Sequence, residues 1–141
     1  MISINPYLNF PGNAEEAINF YKSVFGGELA MLQRYKETGM NELSPADGEK
    51  LMHAALPLGQ KGGVIMVSDI LESKGDKFVL GDNFSLSITT ESEAEADTIF
   101  AKLSAGGKTT LALEKTFWGS YFGMCTDKFG IQWMVSYEYK K

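Results

Sequence analysis

At 141 residues, with 44% hydrophobic and 22% charged side chains, the chain is sized for one domain or for two small modules sharing a core. A net charge of -5 with no basic cluster argues against nucleic acid as a partner, and no apolar run approaches the ~20 residues that cross a bilayer. The single cysteine, Cys125, excludes an intrachain disulfide and a cysteine-based zinc site; with no basic region ahead of an apolar one in MISINPYLNF, a cytoplasmic location is expected.

Ile2 to Phe10 is predicted as the first strand, with Ile4, Leu8 and Phe10 on one face and Asn5, Tyr7 and Asn9 on the other. Pro6 lacks a donor, which makes the strand bulged or edge-like there. After Pro11-Gly12, Asn13 is placed to cap a helix, with Glu16 in the capping-box position. Ala14, Ala17, Ile18, Tyr21 and Phe25 form its apolar stripe, and Gly26-Gly27 ends it. Glu28 to Tyr35, Leu51 to Leu58 and Val64 to Ser68 read as strands. Lys36 to Lys50, interrupted by Gly39, Pro45 and Gly48, reads as a long loop. Asp69 to Asp82 is charged and irregular.

The pattern then restarts. Phe84 to Thr89 is a strand with Phe84, Leu86 and Ile88 inward; Thr90 is placed to cap a helix, with Glu93 in box position. Ala96, Ile99, Phe100 and Leu103 are its stripe, and Gly106-Gly107 its stop. Lys108 to Leu113, Tyr121 to Thr126 and Ile131 to Tyr137 follow as strands. The last two form a hairpin across Asp127-Lys128-Phe129-Gly130, where Asp bonds the backbone ahead and Gly takes a positive φ. Ile131, Trp133, Val135 and Tyr137 make a core face; Gln132, Met134 and Ser136 make a mixed face suited to a cavity wall. The fold class is therefore α+β: two βαβββ modules, residues 1–70 and 83–141, joined by a linker at 71–82. Neither module covers its own sheet, so the two are expected to close one domain together.

Several motifs stand in this order: Asn9-Phe10, Ala17-x-x-Phe20-Tyr21-x-x-Val24-Phe25-Gly26-Gly27, Met52-His53-Ala54, Ser68-Asp69, Phe117-Trp118-Gly119-x-x-Phe122-Gly123 and Asp127-x-Phe129-Gly130-x-x-Trp133. With the duplication, they resemble the vicinal oxygen chelate superfamily, the glyoxalase/bleomycin-resistance fold. Within it the match is to the PhnB-like branch, some of whose members carry the label 3-demethylubiquinone 3-methyltransferase. The resemblance implies a cupped, mostly antiparallel sheet, helices on its convex face, and a homodimer.

The superfamily's enzymes hold a divalent metal in the cup, with ligands from the first and fourth strands of each module. Aligned by pattern, those positions are Asn5, Met66, Asn83 and Met134. Amides and thioethers are poor ligands for such ions, so no metal and no cofactor is expected. No Gly-rich dinucleotide loop, P-loop or methyltransferase-type cofactor loop is present either.

Candidate site residues follow from the predicted faces. His53, the only histidine, projects opposite Met52, Ala54 and Leu56, and Asp69 is a candidate to orient it as a general base. Tyr121, opening the hairpin, is a second acid/base candidate. Met66 and Met134 would floor the cup; Asn5, Tyr7, Asn9, Asn83, Ser85 and Gln132 would line it; Trp118 would close over it or pack in a dimer interface. The first expectation is a metal-independent protein that binds a small, mainly apolar organic molecule. The alternatives are an enzyme using His53 or Tyr121 in proton transfer, and a metalloenzyme of the glyoxalase or dioxygenase type with ligands elsewhere.

Overall fold

Alternating burial along the strands, and two amphipathic helices to cover them, divide the chain into two compact units, Met1–Val79 and Leu80–Lys141. A computed structural model describes residues 2–59 and 62–139. The boundary falls inside segment 71–82, which carries a short 3-10 turn at Glu72–Lys74 and the buried Leu71.

The first unit contains β1 (Tyr7–Phe10), α1 (Ala14–Phe25), β2 (Met31–Arg34), α2 (Pro45–Glu49), β3 (Leu51–Pro57) and β4 (Val64–Asp69). Its sheet has the order β1-β4-β3-β2, with β1 parallel to β4 and the other pairs antiparallel. The second unit contains β5 (Leu86–Thr90), α3 (Glu93–Ser104), β6 (Lys108–Lys115), β7 (Ser120–Thr126) and β8 (Gln132–Glu138), in the order β5-β8-β7-β6. The two sheets match step for step. Tyr7 pairs with Met66 and Asn9 with Ser68 in the first; Ser87 pairs with Met134 and Thr89 with Ser136 in the second.

One face of each sheet is buried under its helix. In the first unit Leu8, Phe10, Ala54, Leu56, Ile65 and Val67 meet Ala14, Ala17, Ile18, Tyr21 and Val24 of α1. In the second, Cys125, Trp133 and Val135 are buried on the side where Ala96, Phe100 and Leu103 of α3 pack. Strand alternation then puts the intervening residues on the opposite, open face.

The boundaries differ from the predicted ones where local signals compete. Both leading strands start late: Ile4 is 93% exposed and Phe84 also faces solvent. Pro6 donates no ladder bond, while its carbonyl accepts Met66 N–H at 3.0 Å, so pairing is regular only from Tyr7 on. The predicted loop 36–50 contains α2, whose N-cap Ser44 accepts Asp47 N–H and whose first turn holds Pro45.

Both predicted caps are corrected too. Asn13 makes no capping bond, and its Oδ1 is buried without a hydrogen-bond partner among the described residues. The cap comes from Asp69 at the end of β4, whose Oδ1 accepts Gly12 N–H at 3.1 Å and Ala14 N–H at 2.8 Å. On α3 the cap is Ser92, accepting Glu95 N–H at 3.0 Å; Thr90 instead donates to the Ser92 and Ser136 carbonyls.

The hairpin turn is built on Asp127. Its Oδ1 accepts Phe129 N–H at 2.8 Å and Ile131 N–H at 3.1 Å, and its Oδ2 accepts the Trp133 indole N–H at 2.8 Å. Gly130 holds φ +90°, and a Cβ there would lie 2.7 Å from a methyl of Leu80. The Asp-x-Phe-Gly-x-x-Trp pattern thus fixes a turn and orients a core indole.

Candidate functional site

On the open face of the first sheet, Tyr7, Met66, Ala55 and Met31 lie in one cross-strand row. Asn9 and Ser68 pair in the next row, and Gln33 pairs with His53 across β2 and β3. Tyr7 reaches across β4 to His53: its hydroxyl is 3.0 Å from Nδ1 and the ring centroids are 5.5 Å apart. Tyr7 is 45% exposed, and Nε2 of His53 has no hydrogen-bond partner among the described residues. Alternation placed Tyr7, Asn9, His53 and Met66 correctly on one face; the Tyr7–His53 bond joins residues 46 apart in sequence, and local pattern does not show it.

Asp69 is not the partner of His53. It points to the helix side, where all three described acceptor contacts go to backbone N–H groups, the third being Leu51 at 2.9 Å. Arg34, the cation of β2, also turns to the helix side and clasps Glu15 of α1 at 2.8–2.9 Å. That guanidinium holds the Glu15 carboxyl below the usual range. Tyr35 donates to the Asp69 carbonyl at 2.8 Å, and burial pushes its phenol up.

In the second unit the open face carries Met134 directly opposite Met124, with Ser87 beside it and Phe122 two residues before Met124. Trp118 makes edge-to-face contacts with Phe117 at 5.0 Å and Phe122 at 5.9 Å, and is 55% exposed. Met124 and Phe122 were not singled out in sequence, although alternation against the buried Cys125 would have found them.

Tyr121 is on the wrong face for the role expected of it. It donates to Asp97 of α3 at 2.6 Å, and that bond, then burial, pushes its phenol up to about 12. It serves as a strut between β7 and α3 and keeps its proton at neutral pH. Cys125 is buried on the same side, and desolvation pushes its thiol up to about 11, which removes it as a nucleophile.

Four of the expected lining residues have structural duties or lie off the ladder. Asn5 precedes β1, and its Oδ1 accepts Val64 N–H at 3.0 Å, pinning the start of β4. Gln132 donates from Nε2 to the Phe84 carbonyl at 2.6 Å, tying the chain ahead of β5 to β8. Asn83 and Ser85 both precede β5, Asn83 exposed and Ser85 half-buried.

The register also sets Asn5 and Asn83 ahead of the paired strands. Opposite Met66 stands Tyr7, not Asn5, and opposite Met134 stands Ser87, not Asn83. A phenol, a hydroxyl and two thioethers do not fit the hard or borderline divalent ions that superfamily enzymes use. Among the described residues no three His, Cys, Asp or Glu side chains are grouped to hold an ion.

A family model described as 3-demethylubiquinone-9 3-methyltransferase matches residues 2–136. Protein YjdN of Escherichia coli (strain K12) is 30% identical, the match covering 94% of this chain and 93% of that protein. Among solved structures, protein PA1353 from Pseudomonas aeruginosa is 35% identical with a TM-score of 0.84, covering 98% of each chain. A PhnB protein from Bacillus cereus is 32% identical with a TM-score of 0.75, covering 96% of this chain and 99% of that one. For the fold alone, a glyoxylase/bleomycin resistance protein/dioxygenase domain from Frankia sp. EAN1pec superposes with a TM-score of 0.68 at 15% identity, covering 99% of each chain.

Proposed function

Because this chain belongs to the 3-demethylubiquinone-9 3-methyltransferase (PhnB-like) family of the glyoxalase/bleomycin-resistance superfamily, and because its open sheet faces carry methionines where superfamily enzymes hold a metal, we propose that it binds a small, mainly apolar organic molecule without a catalytic metal. The observation that carries this is the matched placement of Met66 and Met134 at corresponding steps of the two sheets, each on the face its helix leaves open. Methionine supplies a soft, adaptable apolar surface. Asn9 and Ser68 on the first open face, and Ser87 on the second, supply sparse polar points that orient a ligand on that face. Burying apolar area contributes roughly 25 cal/mol per Å², so a ligand covering a few hundred Å² reaches about micromolar affinity after association costs.

Thermal-shift screening of an aromatic and apolar library, followed by titration of the hits, tests this. Met66→Glu or Met134→Glu sets an unpaired carboxylate into the apolar surface and should weaken a hit about tenfold or more. Hits that bind wild type and both variants equally would place the site off the open faces and contradict the proposal.

A homodimer belongs to the same reading. Support comes from β6, exposed along nearly its whole length at a sheet edge, and from Phe117, 97% exposed beside Trp118. Light scattering at micromolar concentration should return twice the 15.5 kDa of one chain; the mass of a single chain would contradict it.

A further inference from the structure

Within β1–β4, Tyr7 and His53 are the only ionisable side chains that the register places on the open face; the rest is Met31, Ala55, Pro57, Val64 and Met66 with neutral polar groups beside them. We infer that the Tyr7–His53 pair is the anchor for an acidic oxygen, a carboxylate or a phenol-type hydroxyl, on an otherwise apolar ligand. This rests on the open-face proposal and adds the chemical class of the ligand.

Three features carry it. The Tyr7 hydroxyl at Nδ1 fixes the imidazole's orientation and leaves Nε2 free for a ligand. When Tyr7 donates to Nδ1, the neutral ring carries its hydrogen on Nε2 and donates to a carboxylate; the protonated ring donates from both nitrogens, with Tyr7 accepting. In the other neutral tautomer Nδ1–H donates to Tyr7, and Nε2 accepts from an acidic hydroxyl. Every state therefore has a match with an acidic oxygen. The second feature is the charge of the face. Asp69 and Arg34, with Glu15 of α1, are engaged on the helix side, so the strands β1–β4 place no carboxylate on the open face to neutralise a ligand cation. The third is access: Tyr7 is half exposed and the imidazole is only partly covered.

The test uses 2-naphthoate against naphthalene-2-carboxamide, the same ring with and without the charge. His53 is the only histidine, so the imidazole C–H signals in NMR are assigned without ambiguity. Naphthoate should bind about tenfold or more tighter than the amide, as a charge-assisted hydrogen bond in an apolar setting supplies, and should move the imidazole signals. His53→Gln should bring naphthoate to the amide's affinity. Tyr7→Phe, which keeps the ring but frees the imidazole to turn, should cut the preference by a few-fold. Naphthoate binding no tighter than the amide, or a preference that survives His53→Gln, would overturn the anchor. Equal binding of both probes that Met66→Glu weakens would overturn the anchor alone and leave the open-face proposal standing. Binding of neither probe would count against both.

Discussion

Asp69→Ala is expected to destabilise the fold by about 3–5 kcal/mol, summing the costs of buried N–H groups left without partners. Asp69 is 2% exposed, and it joins three places that are far apart in sequence. Its Oδ1 takes Gly12 N–H and Ala14 N–H at the start of α1, and its Oδ2 takes Leu51 N–H at the start of β3. Each buried N–H that loses its acceptor costs about 1–3 kcal/mol; Gly12 is exposed and is re-solvated, which keeps the sum below three full penalties. The carboxylate also faces the positive end of the α1 dipole, a further favourable term lost with it. Urea unfolding of both proteins measures the difference. A loss below about 1 kcal/mol would mean that water replaces the carboxylate, and that Asp69 does not organise the first unit.

Asp127→Ala should have the next largest effect, about 3–4 kcal/mol, from the loss of a charge-assisted bond and two turn bonds. The indole of Trp133 is buried and donates to Oδ2, while Phe129 N–H and Ile131 N–H rely on Oδ1. The Trp133–Asp127 bond is separable by a double-mutant cycle with Trp133→Phe. The expected coupling is about 1.5–3 kcal/mol, the range for a hydrogen bond to a charged group. Additive losses in the cycle would show that the carboxylate acts on the turn backbone alone.

These two carboxylates also show what a single sequence reveals. Asp127 bonds residues two to six positions ahead, so its turn was legible from Asp-x-x-Gly chemistry. Asp69 bonds residues 55 to 57 positions back, and nothing local marks it as the cap of α1; the adjacent Asn13 took that role on propensity alone. The open faces followed from alternation, which placed Tyr7, Asn9, His53, Met66 and Met134. Tyr121 shares its strand face with Gly123 and Cys125, and that alternation points it to α3 rather than to the open face. Asn5 and Asn83 do not stand opposite Met66 and Met134 for a different reason. The parallel pairing of β1 with β4 and of β5 with β8 is long-range, and Pro6 delays the first ladder to Tyr7. Local periodicity fixes which residues share a face, but not which residue stands across the sheet.

The central claim is that a small molecule lies against the open faces, and methyl NMR on methionine-labelled protein tests it most directly. The chain has seven methionines, and among them Met31, Met66, Met124 and Met134 report on those faces while Met40 lies in the segment between β2 and α2. On titration with the library hits, the methyl signals of one or more of Met31, Met66, Met124 and Met134 should shift in proportion to occupancy, with Met40 unmoved. Saturating binding that leaves all four signals in place would contradict the account.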